Sequence, residues 1–321
     1  MKTIRRLLLL IFILCAVTVF ALCADSSEHA LKNVRAELYV QTATCDEPTV
    51  SAVLSVTDVP LFENRICTVE WFRDGVPISQ KQSFLLCKGA FSVCRFSVVF
   101  SESTPPQTVI TAVISCADAS RCFSETVTVQ NRDGAFYERL KTLKYPYRID
   151  VSRLQNVVLV WAQDESGQYS LLQNAFVCST GKATPRGVFF TGERKSWQTL
   201  FGSEETDYAY VYGQYATRIT GNILFHSVPY YSRDPSDLET AQYNLLGSRA
   251  SQGCVRLTVE AAKWIFDHVP SWTEVSIVDR VTLPVKKPVS VKLPLADLRS
   301  GWDPTDPDEK NPWKNSTNLS S

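Results

Sequence analysis

The run Ser251-Gln252-Gly253-Cys254-Val255-Arg256 places a cysteine directly after a glycine, and His226 lies 28 positions before that cysteine. A cysteine in a tight glycine turn can sit open to a cleft with several backbone N–H groups pointing past its sulfur. A histidine brought alongside by the fold can take the thiol proton and lower its pKa. Together they would supply a thiolate nucleophile and an oxyanion hole, the minimum for acyl transfer. Arg256, two residues on, is placed to hold a carboxylate or to fix the loop. Cys178 ends a strand-like run and reads as a buried structural thiol. His268, near the end of a helical segment, reads as a residue facing solvent or complementing the helix dipole.

The elements around these residues are mostly strands. Arg148–Val151, Asn156–Trp161, Tyr169–Leu172, Asn174–Val177 and Val188–Phe190 have strand composition, and Glu274–Val278 closes the set. One helix is expected directly after the cysteine loop. Thr258 is its N-cap, Glu260 lies in the first turn, Ala261, Ala262, Ile265, Phe266 and Val269 form an apolar face, and Pro270 ends it. Residues 147–281 therefore read as one β-rich domain with a single helix.

A different unit is expected over 34–130, where short strands alternate with turns. Trp71, four residues after Cys67 and ahead of an Asp74-Gly75 turn, resembles the core tryptophan on the third strand of an immunoglobulin-like β-sandwich. Residues 131–146 read as a linker. The Pro-, Asp-, Asn- and Ser-rich stretch 282–321 reads as an extended, disordered tail, because it offers few core formers.

The first 24 residues have the form of a secretory signal: Lys2, Arg5 and Arg6, an apolar run from Leu7 to Leu22, then small residues near Ala24. Export is expected, with membrane contact only if that segment stays uncleaved as an anchor. Of ten cysteines, six fall within residues 45–122 and could form three bridges in 15 pairings. A local bridge between Cys116 and Cys122 is expected, with reduced buried thiols as the competing reading. Thirty-three basic and 33 acidic residues balance, which gives no electrostatic case for nucleic acid. No Cys/His spacing suggests zinc, and the acyl-transfer chemistry needs no cofactor.

Several motifs occur in a fixed order. Ser179-Thr180-Gly181-Lys182-Ala183-Thr184-Pro185-Arg186-Gly187 precedes a strand, Ile223–Val228 carries His226, and Leu246–Leu257 carries Cys254. Together they resemble the L,D-transpeptidase (YkuD-type) catalytic domain. The fold class implied is mainly β: an immunoglobulin-like sandwich, then a YkuD-type domain with one helix after the cysteine loop.

That resemblance implies a reaction on peptidoglycan stem peptides in the cell wall or on the outer face of the membrane. Cys254 would attack the carbonyl preceding a terminal D-amino acid, with His226 as base and the Ser227 carbonyl orienting the imidazole. The N–H groups around Gly253 and Cys254 would bind the oxyanion, Ser251 and Gln252 would complete the loop, and Arg256 would order it or meet a carboxylate. An amine acceptor gives a 3→3 cross-link. Water as acceptor gives a carboxypeptidase, and a decayed, wall-binding domain is a third reading. Two departures stand out. Gln252 occupies the place of a usual second histidine, and 24 residues separate His226 from Ser251. The extra stretch, Pro229–Glu239, is a candidate lid or an ordinary surface loop. Tyr230, Tyr231 and Arg249 are candidate substrate contacts. The partner of the first domain is not legible.

Overall fold

The computed structural model describes the strands between residues 34 and 130, residues 134–202 and 209–290, and most of 292–313. The signal-like segment lies outside the described residues.

Eight strands occupy the N-terminal part: β1 (Val34–Thr44), β2 (Glu47–Val56), β3 (Arg65–Arg73), β4 (Val76–Pro77), β5 (Gln82–Leu86), β6 (Phe91–Ser97), β7 (Gln107–Cys116) and β8 (Cys122–Gln130). They form two antiparallel sheets, one in the order β1-β2-β6 and one in the order β4-β3-β7-β8 with β5 also on β3. Trp71 is fully buried with Val69 and Ile110, and Asp74 and Gly75 take the positive φ values that the β3–β4 turn requires. The side chains of the six clustered cysteines lie outside the described residues. The backbone register sets Cys116 opposite Cys67, and Cys122 opposite Ser115.

The stretch expected as a linker contains α1 (Gly134–Thr142). Its Tyr137 and Leu140 are buried in the same cluster as Ile149, Val158 and Trp264. Arg139 donates to the carbonyls of Gln163 and Asp164. The helix thus belongs to the C-terminal domain. Phe136–Lys141 reads as one or two helical turns within the linker; what its sequence does not announce is that Tyr137 and Leu140, three positions apart, dock on the following domain.

Nine strands follow: β9 (Tyr147–Ser152), β10 (Val157–Ala162), β11 (Leu171–Val177), β12 (Gly187–Phe190), β13 (Arg194–Phe201), β14 (Tyr210–Thr220), β15 (Ile223–Ser227), β16 (Val255–Leu257) and β17 (Glu274–Val278). One sheet runs β11-β10-β9-β17-β12, and the other β13-β14-β15-β16. Most pairs are antiparallel; β17 with β9 and β15 with β16 are parallel. A parallel neighbour requires a crossover, and the crossover from β15 to β16 is the long stretch 228–254, which includes the one-turn helix α2 (Thr240–Tyr243).

The helix after the cysteine strand, α3 (Val259–His268), has Thr258 as its N-cap, its side chain accepting from Ala261 N–H. Trp264 packs edge-on to Tyr147 at 5.3 Å. At the other end, Arg194 donates to the Phe266 and Val269 carbonyls, closing the unsatisfied C-terminal turn.

Residues 293–313 do not behave as the disordered tail that their composition suggests. Leu293 and Trp313 join Val228, Tyr230, Leu238, Tyr243, Leu246 and Val259 in a second buried cluster. Asp303 accepts from Val259 N–H at 2.8 Å, and Thr305 Oγ1 accepts from Glu260 N–H at 3.1 Å. The tail thereby satisfies two of the free N–H groups at the start of α3. Polar residues that serve as caps look like linker composition, which is why the docking was not legible.

Candidate active site

The cysteine loop is held by the Ser179–Thr184 segment. Ser179 and Arg256 exchange backbone hydrogen bonds at 2.8 and 2.9 Å. Ser251 N–H donates to the Thr180 carbonyl, Ala183 N–H to the Gln252 carbonyl, and Thr184 Oγ1 to the Gly253 carbonyl at 2.7 Å. Within the loop, Ser251 Oγ donates to the Cys254 carbonyl at 2.6 Å. Gly181 is obligatory here: a Cβ would lie 2.2 Å from the Ser251 carbonyl oxygen. Gly253 is less confined, since the nearest atom to an added Cβ is the mobile end of Ile223, Cδ1 at 2.8 Å. The Ser-Thr-Gly and Gly-Cys motifs are thus two halves of one backbone clamp.

Cys254 stands half-buried at the end of this loop. Its thiol donates to the Asn222 carbonyl at 3.3 Å. Burial pushes the thiol pKa up, opposed by the Leu224 N–H and the Arg256 charge. His226 is 2% exposed, and its Nδ1 lies 2.6 Å from the Ser227 carbonyl oxygen. A carbonyl can only accept, so Nδ1 carries the proton and Nε2 keeps its lone pair. Burial and the Arg256 charge pull the imidazole down to about 3, against the Ser227 bond, which raises it. The resting pair is therefore a neutral thiol and a neutral imidazole. The depressed thiol pKa expected from the sequence is not what the burial of this site produces.

Arg256 lies in register with His226 on the parallel pair β15–β16. It is buried, and its Nη1 donates to Gln242 Oε1 at 2.5 Å. Arg256, Glu239, His226 and Cys254 line one cleft of about 360 Å³, with Ser251, Gln252 and Gly253 on the same wall. Neutral base, thiol and cation in one concavity are suited to nucleophilic attack on a carbonyl carbon. Among the described residues no cluster of ligands could hold a metal.

The other expected contacts fall elsewhere. Tyr230 is fully buried, its ring edge-on to Trp197 at 5.4 Å, so it is a core residue and not a substrate contact. Tyr231 is tied by its N–H to the Asp237 carbonyl and Arg249 by its Nη2 to the Gly181 carbonyl; neither lines the cleft. Gln252 lines it but is exposed, and its Nε2 donates to the Gly202 carbonyl at 3.1 Å. The 229–239 stretch is clamped: Leu238 is buried and its N–H donates to the Gly301 carbonyl. A stretch of aromatic and charged residues reads as a lid or a surface loop when nothing in it announces the residues 293–313 that fasten it.

Three contributors went unread in the sequence. Gly213 passes so close to the imidazole that a Cβ would stand 2.8 Å from His226 Nδ1. Gln242 and Glu239 flank Arg256 from the crossover. A glycine in a strand signals close approach of something, which could have flagged Gly213. Nothing local distinguishes a buried Glu239 from a surface one.

Residues 146–277 match the family model described as L,D-transpeptidase catalytic domain, YkuD. The chain is 38% identical over 96 residues to the putative L,D-transpeptidase YciB of Bacillus subtilis, which is 30% of this chain and 46% of that protein. It is 54% identical over 41 residues to the probable L,D-transpeptidase ErfK/SrfK of Salmonella typhimurium, 13% of this chain and 12% of that one. The chain thus spans less than half the length of these curated relatives. A solved L,D-transpeptidase from Mycobacterium smegmatis aligns over 76% of this chain and 99% of its own at 14% identity and a TM-score of 0.34.

Proposed function

We propose, from the match of residues 146–277 to the YkuD L,D-transpeptidase catalytic-domain model, that this protein is a peptidoglycan L,D-transpeptidase with Cys254 as nucleophile and His226 as base. The observation that carries the reading is that Cys254 and His226 line one cleft, with Nδ1 of His226 committed to Ser227. That leaves Nε2 as the proton acceptor. Cys254 Sγ attacks the carbonyl carbon of the donor peptide while its proton passes to His226. The carbonyl oxygen takes up the electron pair. Among the described residues no backbone carbonyl accepts from the Gly253 or Cys254 N–H groups, which supports their use for that oxyanion. When the tetrahedral species collapses, the C–N bond breaks, and the departing amine of the D-amino acid takes the proton from the imidazole. An acceptor amine then attacks the thioester and regenerates the thiol.

Arg256 orders the loop through Gln242. Gln252, exposed and bonded to a backbone carbonyl, supplies no proton, and its replacement of a histidine does not argue for a decayed site. The signal-like segment supports action outside the cytoplasmic membrane. Among the described residues no helix is long and apolar enough to cross a membrane. Trp71 and the two-sheet arrangement of β1–β8 support an immunoglobulin-like spacer or binding module ahead of the catalytic domain.

The test is the purified protein with disaccharide-tetrapeptide, analysed by mass. Cross-linked dimer with release of the terminal D-amino acid supports transfer. Tripeptide without dimer assigns a carboxypeptidase. No thioester and no product would overturn the reading.

A further inference from the structure

The reactive cleft has two guanidinium groups on its wall, Arg218 and Arg256, and one carboxylate among its described lining residues, Glu239. Glu239 is 3% exposed, and its Oε1 receives no hydrogen bond from any described residue. Arg256 gives its Nη1 to Gln242, and its charge reaches Glu239 only through space. The backbone there is pinned on both sides. Glu239 N–H donates to the Pro229 carbonyl at 3.0 Å, its carbonyl accepts from Tyr243 N–H at 2.9 Å, and Thr240 Oγ1 donates to the Ser300 carbonyl at 2.5 Å. The side chain cannot reach solvent by a loop movement without breaking these bonds.

A buried acceptor left without a donor is costly, and more so when it is charged. Burial raises the pKa of this carboxyl, against the Arg256 charge, so what the site lacks is a partner that stabilises its charged form. A neutral N–H would leave its charge uncompensated in a low-dielectric site. A primary ammonium brings a full positive charge and three N–H donors in a compact head.

We propose that Glu239 is a specificity-determining residue that receives a primary ammonium group of the peptide substrate. The inference deepens the acyl-transfer reading and rests on it for the nature of that substrate. The ammonium can come from the side chain of the donor's diamino residue or from the acceptor amine, and the two sources separate by experiment.

The full chain carrying Cys254→Ala is titrated calorimetrically with stem tetrapeptide bearing a free side-chain amine, and with the same peptide acetylated on that amine. The free amine should bind at least ten-fold tighter. Adding Glu239→Gln should bring the two peptides within two-fold, and Glu239→Asp, which keeps the charge at shorter reach, should retain part of the preference. Equal affinities in Cys254→Ala, no measurable binding, or a preference that survives Glu239→Gln would overturn the proposal. In chains with Cys254 intact, slower thioester formation by Glu239→Gln places the ammonium on the donor. Normal thioester formation with fewer dimers per tripeptide places it on the acceptor. A binding preference without any thioester would sink the acyl-transfer reading and leave Glu239 as an ammonium site.

Discussion

Gly213 lies against the His226 imidazole so closely that a single added methyl would stand 2.8 Å from Nδ1. The ring is held between this glycine and the Ser227 carbonyl, and Nε2 inherits its direction from both. Gly213→Ala should keep the fold at a cost of roughly 1–3 kcal/mol for overpacking. Displacing the ring should slow acylation by an order of magnitude or more. Thermal denaturation and the acylation rate, measured together, check it; an unchanged rate would mean that the ring position does not matter.

The neutral resting pair predicts a pH profile. With His226 depressed to about 3, the base is available throughout the neutral range, and Cys254 stays a thiol there because burial raises it. Acylation should be flat between about pH 5 and 8, with no inflection near the ordinary histidine value of about 6.5. His226→Ala should slow it about 10²-fold. An acid limb near 6.5 would instead show that the imidazole titrates at its ordinary value and is not held neutral by burial. The depressed pKa also has a stability sign. Above about 6.5 the histidine is neutral in both folded and unfolded chains. As pH falls from there towards 3, only the unfolded chain takes up the proton, so stability is lost over that window. His226→Gln should flatten this slope in denaturant titrations.

Thiol reactivity should separate the two free cysteines of the C-terminal domain. Cys178 is fully buried, and burial drives its pKa far above the ordinary range. A β-lactam or a haloacetamide should label Cys254 alone, and Cys254→Ala should abolish labelling in this domain. Peptide mapping that found label on Cys178 of the folded protein would contradict this.

The docked tail predicts where the catalytic unit ends. A fragment of residues 131–313 should fold and react. One ending at residue 289 loses Leu293 and Trp313 and uncovers Tyr230, Leu238 and Tyr243, at roughly 1.5–3 kcal/mol for each large side chain exposed. It should melt well below the longer fragment. Burial raises the Asp303 carboxyl to about 6, so this group favours the docked state fully below about 4, and that contribution is lost as pH rises through 6. Limited proteolysis should cut the tail faster at pH 8 than at pH 5.

Gln252 should matter little. Its single bond to the Gly202 carbonyl is exposed, so Gln252→Ala should cost less than about 1 kcal/mol and leave acylation within a few-fold. A collapse of activity would show that the side chain meets the substrate.

The sequence displayed the parts of the site that depend on local order. Cys254, Gly253 and the Ser179–Thr184 clamp lie in contiguous motifs, and the helix behind them carries its own cap and apolar face. What it hid depends on distant pairing. Tyr230 reads as a candidate substrate contact because nothing near it in sequence announces Leu293 or Trp313 as its neighbours in a buried cluster. Glu239 and Gln242 gain their meaning only when the crossover folds back over Arg256. Gly213 acquires its role from the imidazole on the next strand, 13 positions away.

The strap of residues 293–313 also sets an order of events. A chain is made from its N-terminus, at about 5–20 residues per second, so Cys254, His226 and their clamp exist before anything that caps α3 or covers Tyr230. Until Asp303 and Thr305 arrive, the first turn of that helix has two N–H groups awaiting partners, and an aromatic cluster lies open. The crossover carrying Glu239 and Gln242 is likewise unfastened, since Leu238 and Thr240 anchor to Gly301 and Ser300. The nascent domain therefore holds the Cys254 thiol before it holds a finished cleft. The cleft is complete only once this strap has docked, a timing that follows from its place after Cys254 in the chain.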